Sequence, residues 1–91
     1  MEEYHVRNVS EDLIEMHLSE SIRKSGTCDC ARCRADIKAF ALNIFPPHYV
    51  VTDLGDALTR ANALSVQFRV DVMTAIMKGI VIVKASPRHD Q

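Results

Sequence analysis

Three cysteines stand within six residues, Cys28-Asp29-Cys30-Ala31-Arg32-Cys33, and the chain has no others. A short chain buries a modest share of its surface and commonly needs a metal or a partner subunit to hold its fold. A Cys-x-Cys-x-x-Cys run answers that need. It brings three thiolates around one point, and Zn²⁺ takes tetrahedral sulfur and nitrogen ligands. The cluster is odd in number, and the acidic start Met1-Glu2-Glu3-Tyr4-His5 shows no apolar leader. Metal ligation in the cytoplasm is therefore expected over disulfides. The competing readings are idle thiols, or a redox cluster that oxidises to a disulfide and releases metal. Three thiolates require a fourth ligand, or the site stays open.

The 91 residues are expected to form one domain, 1–91. Eleven basic and twelve acidic residues nearly cancel, which argues against direct DNA binding. Seven arginines against four lysines favour fixed, bidentate anion contacts. The longest apolar run, Gly79 to Val83, is too short to span a bilayer. There is no Ser-His-Asp set, phosphate-binding glycine loop or His-Glu-x-x-His motif, so an enzyme is not expected.

The pattern predicts an all-α, three-helix domain. Asn8 and Glu11 have capping-box spacing and open the first helix. That helix is apolar on two sides, with Val9, Leu13 and Met16 on one and Ile14, Leu18 and Ile22 on the other. A second subunit is the expected cover, giving a two-fold homodimer with Leu18 at its surface. Lys24-Ser25-Gly26-Thr27 ends the helix. A second helix from about Ala31 to Phe45 repeats Cys33, Ile37, Phe40 and Ile44, with the zinc knuckle at its start and Pro46-Pro47 at its stop. His48 to Thr52 reads as extended, packing Tyr49 and Val51 onto the helices, and Asp53-Leu54-Gly55-Asp56 as a turn. A long third helix is expected from about Ala57 to Lys84, on the stripe Ala61, Leu64, Phe68, Val72, Ala75, Gly79 and Ile82. Its β-branched stretch Lys78 to Val83 is read as helical because a lone strand would have nothing to pair with.

The chain resembles the bacterial late-competence ComFB family over almost its whole length. The resemblance rests on Asn8-Val9-Ser10-Glu11, Cys28-x-Cys30-x-x-Cys33, Ala41-Leu42-Asn43-x-x-Pro46-Pro47-x-Tyr49-Val50 and Ser86-Pro87-Arg88-His89. It implies an all-helical homodimer in which cysteines hold a zinc, a regulatory role without catalysis, and in some members reception of the second messenger cyclic di-GMP. In some relatives a fourth cysteine near the C-terminus completes the zinc site. Here His89 stands in that region, with His17 and His48 as competitors, and each histidine also has a plain reading as a surface residue. Zinc would pin the start of the second helix to the end of the third, with Asp29 and Arg32 solvated or tuning the thiolates.

The segment Arg34-x-Asp36-x-Lys38 to Ala41-Leu42-Asn43 is similar to the family's nucleotide segment. Asp36 and Asn43 share a helix face with Ala39, where small residues leave room for a flat ligand. A carboxylate such as Asp36 suits the two donors on the Watson–Crick edge of guanine. Arg34, Lys38, Arg60 or Arg7 would meet the phosphates, with Thr59-Arg60 as the second half of the site. The plain reading of these charges is a solvated face, with Asn43 capping its helix. Tyr49 is read as core. The first expectation is thus a zinc-stabilised cytoplasmic homodimer that senses cyclic di-GMP and signals to a regulatory protein partner. The second is a zinc-stabilised dimeric adaptor in competence with no nucleotide.

Overall fold

The start of the first helix is fixed by Asn8, whose carboxamide oxygen accepts from the Ser10 amide at 3.1 Å. In the computed structural model, which describes residues 3–87, that helix, α1, spans Val9–Ser25. Glu11 and Asp12 lie in its first turn and Arg23 and Lys24 in its last, the arrangement its dipole favours. Gly26, at φ 69°, takes the left-handed conformation that ends it. α2 spans Ala31–Ile44, α3 Asp53–Asn62 and α4 Val66–Ala85. The two short strands β1, Arg7–Asn8, and β2, Tyr49–Val50, pair antiparallel, with Arg7 opposite Val50 and Asn8 opposite Tyr49.

The Asn8 oxygen also accepts from the His48 amide at 2.8 Å, and the Val9 amide donates to the His48 carbonyl at 2.9 Å. Buried Ser10 donates its hydroxyl to the Pro46 carbonyl at 2.8 Å. A hydroxyl has one proton, so His48 Nδ1, 2.8 Å away, is the donor to Ser10 Oγ, and this fixes the imidazole tautomer. The ring packs with Phe45 and Phe68 in a three-ring cluster, with centroids 5.7 and 5.3 Å away and the two phenyl rings 5.5 Å apart. The segment after α2 is thereby clamped to the beginning of α1.

The main core joins Cys33, Ile37, Ala41 and Phe45 of the α2 region to Val72, Ala75, Ile76, Ile80 and Val83 of α4, closed by Ile14, Leu18 and Ile22 of α1. α2 and α4 approach closely at Gly79, where an added Cβ would lie 3.0 Å from the Ile37 carbonyl oxygen. A smaller cluster joins Val9 and Leu13 to Val50, with Phe68 against it.

The structure corrects the expected architecture in four places. There are four helices, because the stripe read as one long helix is broken at Ala63-Leu64-Ser65. Ser65 caps α4, its Oγ accepting from the Phe68 amide at 3.2 Å, and a three-residue turn preserves the three-and-four step of the pattern across the break. Asp53 to Asp56 is the first turn of α3 rather than a free turn, since Thr52 Oγ1 accepts from the Gly55 amide at 3.0 Å. Both apolar sides of α1 are covered within the chain. Leu18 is 1% exposed, so this helix supplies no dimer surface there, while Met16 is left in solvent. In the extended segment Val50 is the inward residue and Tyr49 and Val51 are exposed, because a strand turns alternate residues to opposite faces. The β-branched run from Lys78 to Val83 is helical, as expected. Among the described residues no helix is long and apolar enough to cross a membrane.

Replacing a helix-interior glycine by alanine normally gains up to about 1 kcal/mol. Gly79→Ala is expected to do the reverse, because the methyl would push on the Ile37 backbone. Urea denaturation should show a loss of about 1 kcal/mol or more, and a gain would disprove the close helix contact.

Candidate metal centre

The loop after Gly26 carries the cysteines into the first turn of α2. Cys30 occupies the N-cap position with extended backbone, and its Sγ accepts from the Cys33 amide at 3.4 Å. One helical turn then brings Cys33 back over Cys30. The three sulfurs lie within 4.8 Å of one another, with Cys28 exposed, Cys30 half-buried and Cys33 buried. Sulfurs sharing one tetrahedral zinc stand about 3.8 Å apart, so a small closure suffices. The donor set therefore fits a soft, thiolate-binding divalent metal. Burial, then hydrogen bonds to Cys30 and Cys28, push the Cys33 thiol up to about 12. Without a cation beside it the Cys33 sulfur keeps its proton, so a metal must displace that proton to bind.

His17 and His48 do not join this group. His48 sits at the opposite end of α1, a 17-residue helix about 25 Å long, and its Nδ1 is committed to Ser10. His89 lies outside the described residues. The end of α4 does reach the site's side of the molecule, since Lys84 Nζ donates to the Ser25 carbonyl at 3.3 Å.

Five of the six residues assigned to a ligand are held in ion pairs with the chain's own side chains. Arg34 and Lys38 of α2 both reach Glu15 of α1, at 3.5 and 3.2 Å, and Arg34 also holds Asp29 at 2.9 Å. Asp36 receives the Arg32 Nε proton on both oxygens at 3.1 Å. Arg60 pairs with Asp56 and with Asp12, the latter at 2.7 Å, while Arg7 reaches Asp56 at 3.2 Å and Asp53 at 3.5 Å. The Arg60 hydrogen bond, followed by that of Arg7, holds the Asp56 carboxyl below the usual carboxylate range. Asn43 is exposed. Residue-type reasoning missed the carboxylates Asp12, Glu15 and Asp56. The four-residue spacings Arg32–Asp36 and Asp56–Arg60 were the available signal for two of these pairs.

Cys30→Ser is expected to lower bound metal and melting temperature together, the latter on the order of 10 °C. Unchanged melting in the metal-free variant would refute a structural metal. A thiol whose folded pKa is raised gives stability that is complete below its ordinary value of 9.0 and is lost as pH rises toward about 12. Chelator-treated protein should therefore lose stability across that window, and Cys33→Ala should lack this loss in urea titrations at pH 8 and pH 10.5.

No curated protein matches the chain. The solved structure of the late competence protein ComFB from Bacillus subtilis superposes with a TM-score of 0.82 at 23% identity, covering 94% of this chain and 96% of that one. At that identity the likeness establishes the fold. The description of the late competence development protein ComFB family matches residues 7–87. The chain therefore belongs to the ComFB family.

Proposed function

We propose that this chain is a non-catalytic regulatory protein of the competence type, a zinc-held homodimer of the cytoplasm that acts by binding a protein partner. The observation that carries this reading is the convergence of three thiols where α2 begins, beside the end of α4. It is the one cluster of metal-ligating side chains among the described residues. Zinc supplies a fixed tetrahedral cross-link there. Cys28, Cys30 and Cys33 hold it, and His89, five residues beyond Lys84, completes the set from the C-terminal side. Metal binding then forms part of the folding free energy.

A second reading, cyclic di-GMP reception, is favoured by one observation. Arg34 and Lys38 from α2 and Arg60 from α3 converge on Glu15 and Asp12, carboxylates three residues apart on α1. A phosphate that displaced those carboxylates would meet cations from two helices at once. Asp36, released from Arg32, would read guanine, with Asn43 on the same helix and Arg7 beyond Arg60.

Calorimetric titration of zinc-loaded protein with cyclic di-GMP, with GTP and cyclic di-AMP as controls, separates the readings. Micromolar, guanine-specific binding lost in Asp36→Ala establishes the receptor. No heat leaves the zinc-held adaptor.

A further inference from the structure

The three thiols differ in what can reach them. Cys28 is exposed and Cys30 half-buried, while Cys33, at 1% exposure, belongs to the main core. Their backbone settings differ as well. Cys30 is the N-cap of α2, and Cys33 stands three residues on, in the first helical turn. Helix geometry sets Cα atoms three residues apart at about 5 Å. That lies inside the range of about 4.4–6.8 Å that a disulfide spans. The Cys33 amide donates to Cys30 Sγ at 3.4 Å, so the Cys30 sulfur already points back over the turn. With the sulfurs within 4.8 Å of one another, side-chain rotation rather than unwinding of α2 closes the remaining gap.

Cys28 is placed differently. It comes from the loop before the helix, and no helical turn fixes its distance from Cys33. A bond to Cys30 would close a ring through Asp29 alone, whose carboxylate Arg34 holds at 2.9 Å. Rings so short and stiff close poorly.

We propose that Cys30 and Cys33 are a redox switch, joined by a reversible disulfide when a hydroperoxide reaches the site, with loss of the metal and with Cys28 left reduced. This rests on the zinc reading above and adds its regulation. The Cys30 thiolate attacks a peroxide oxygen. The S–O bond forms, the O–O bond breaks, and the departing hydroxide takes a proton to become water. The Cys33 thiolate then attacks the Cys30 sulfur. The S–S bond forms, the S–O bond breaks, and the second hydroxide also leaves as water. Two thiolates have each given one electron, and one peroxide has become two waters. Burial bars Cys33 from the first step and suits it to the second, which needs no access from solvent. Peroxide that meets the exposed Cys28 leads to the same pair. Cys30 resolves the Cys28 sulfenic acid, and attack by Cys33 on the Cys30 sulfur expels the Cys28 thiolate. The product keeps the first turn of α2 tied to its N-cap, and loses the metal cross-link beside the Lys84–Ser25 contact.

Titration of the zinc-loaded full chain with hydrogen peroxide tests this. Released zinc is read with a chromogenic chelator, and the thiols are mapped by alkylation, tryptic digestion and mass spectrometry. Cleavage after Arg32 puts Cys33 on a different peptide from Cys28 and Cys30, and fragmentation shows which of those two it is bonded to. One zinc is expected per peroxide consumed, with Cys30 bonded to Cys33 and Cys28 alkylated. Dithiothreitol should restore the three thiols and zinc binding together. Cys28→Ser should give the same disulfide, because that residue lies outside the bond. A disulfide that includes Cys28 or joins two chains, or a sulfinic acid formed with no disulfide, would overturn the pairing. Zinc retained by the disulfide form would overturn the switch. A chain that binds no zinc before peroxide is added would overturn the zinc reading and the release with it, while the mapped bond still decides the pairing.

Discussion

The close approach of α2 to α4 at Gly79 organises the rest of the molecule. With no side chain there, the helix can rest against the Ile37 carbonyl, and Ile76 and Ile80 fall on either side of it. Three consequences follow. The first turn of α2, with its cysteines, is held near the last turn of α4, where Lys84 meets the Ser25 carbonyl. α1 has a continuous apolar floor on which to lay Ile14, Leu18 and Ile22. The opposite side of α4, with Val70 and Val81, is turned to solvent. A cluster of three thiols at one end and an uncovered apolar groove along one side are thus products of a single packing decision.

The charged surface has a comparable economy. The cations that a nucleotide would need are already neutralised by Asp12, Glu15, Asp29 and Asp56. Exposed pairs of this kind contribute little to stability, about 0–1 kcal/mol each. Their cost to an incoming anion is competition, since each phosphate contact must replace a carboxylate contact. Arg69 and Lys78, on the lining of the α4 groove, carry no such internal competitor among the described residues.

Much of the fold was legible in the residues because local signals agreed with one another. Asn8 caps α1, Gly26 ends it, Pro46-Pro47 stops α2, and the cysteine spacing places three sulfurs together. The motif segments at Asn8–Ser10 and Pro46–His48 turn out to be one junction, joined by Asn8 Oδ1 and Ser10 Oγ. The break at Ala63-Leu64-Ser65 was hidden because a three-residue turn leaves the apolar step intact; the cap Ser65 was its mark. The covering of α1 was misassigned for a different reason. Periodicity says that two faces are buried but not which chain buries them, and Val50 of a two-residue strand closes the second face. The ligand residues were legible as charges, and their pairing across helices was not, because Arg60 and Asp12 are 48 positions apart.

The proposed zinc is held by three thiolates and completed from the C-terminal side. X-ray absorption at the zinc edge, on protein purified without added metal, tests it most directly. One zinc per chain is expected, with three sulfur neighbours at about 2.3 Å and one nitrogen neighbour at about 2.0–2.1 Å. Protein that carries no metal, or a zinc coordinated without sulfur, would contradict it.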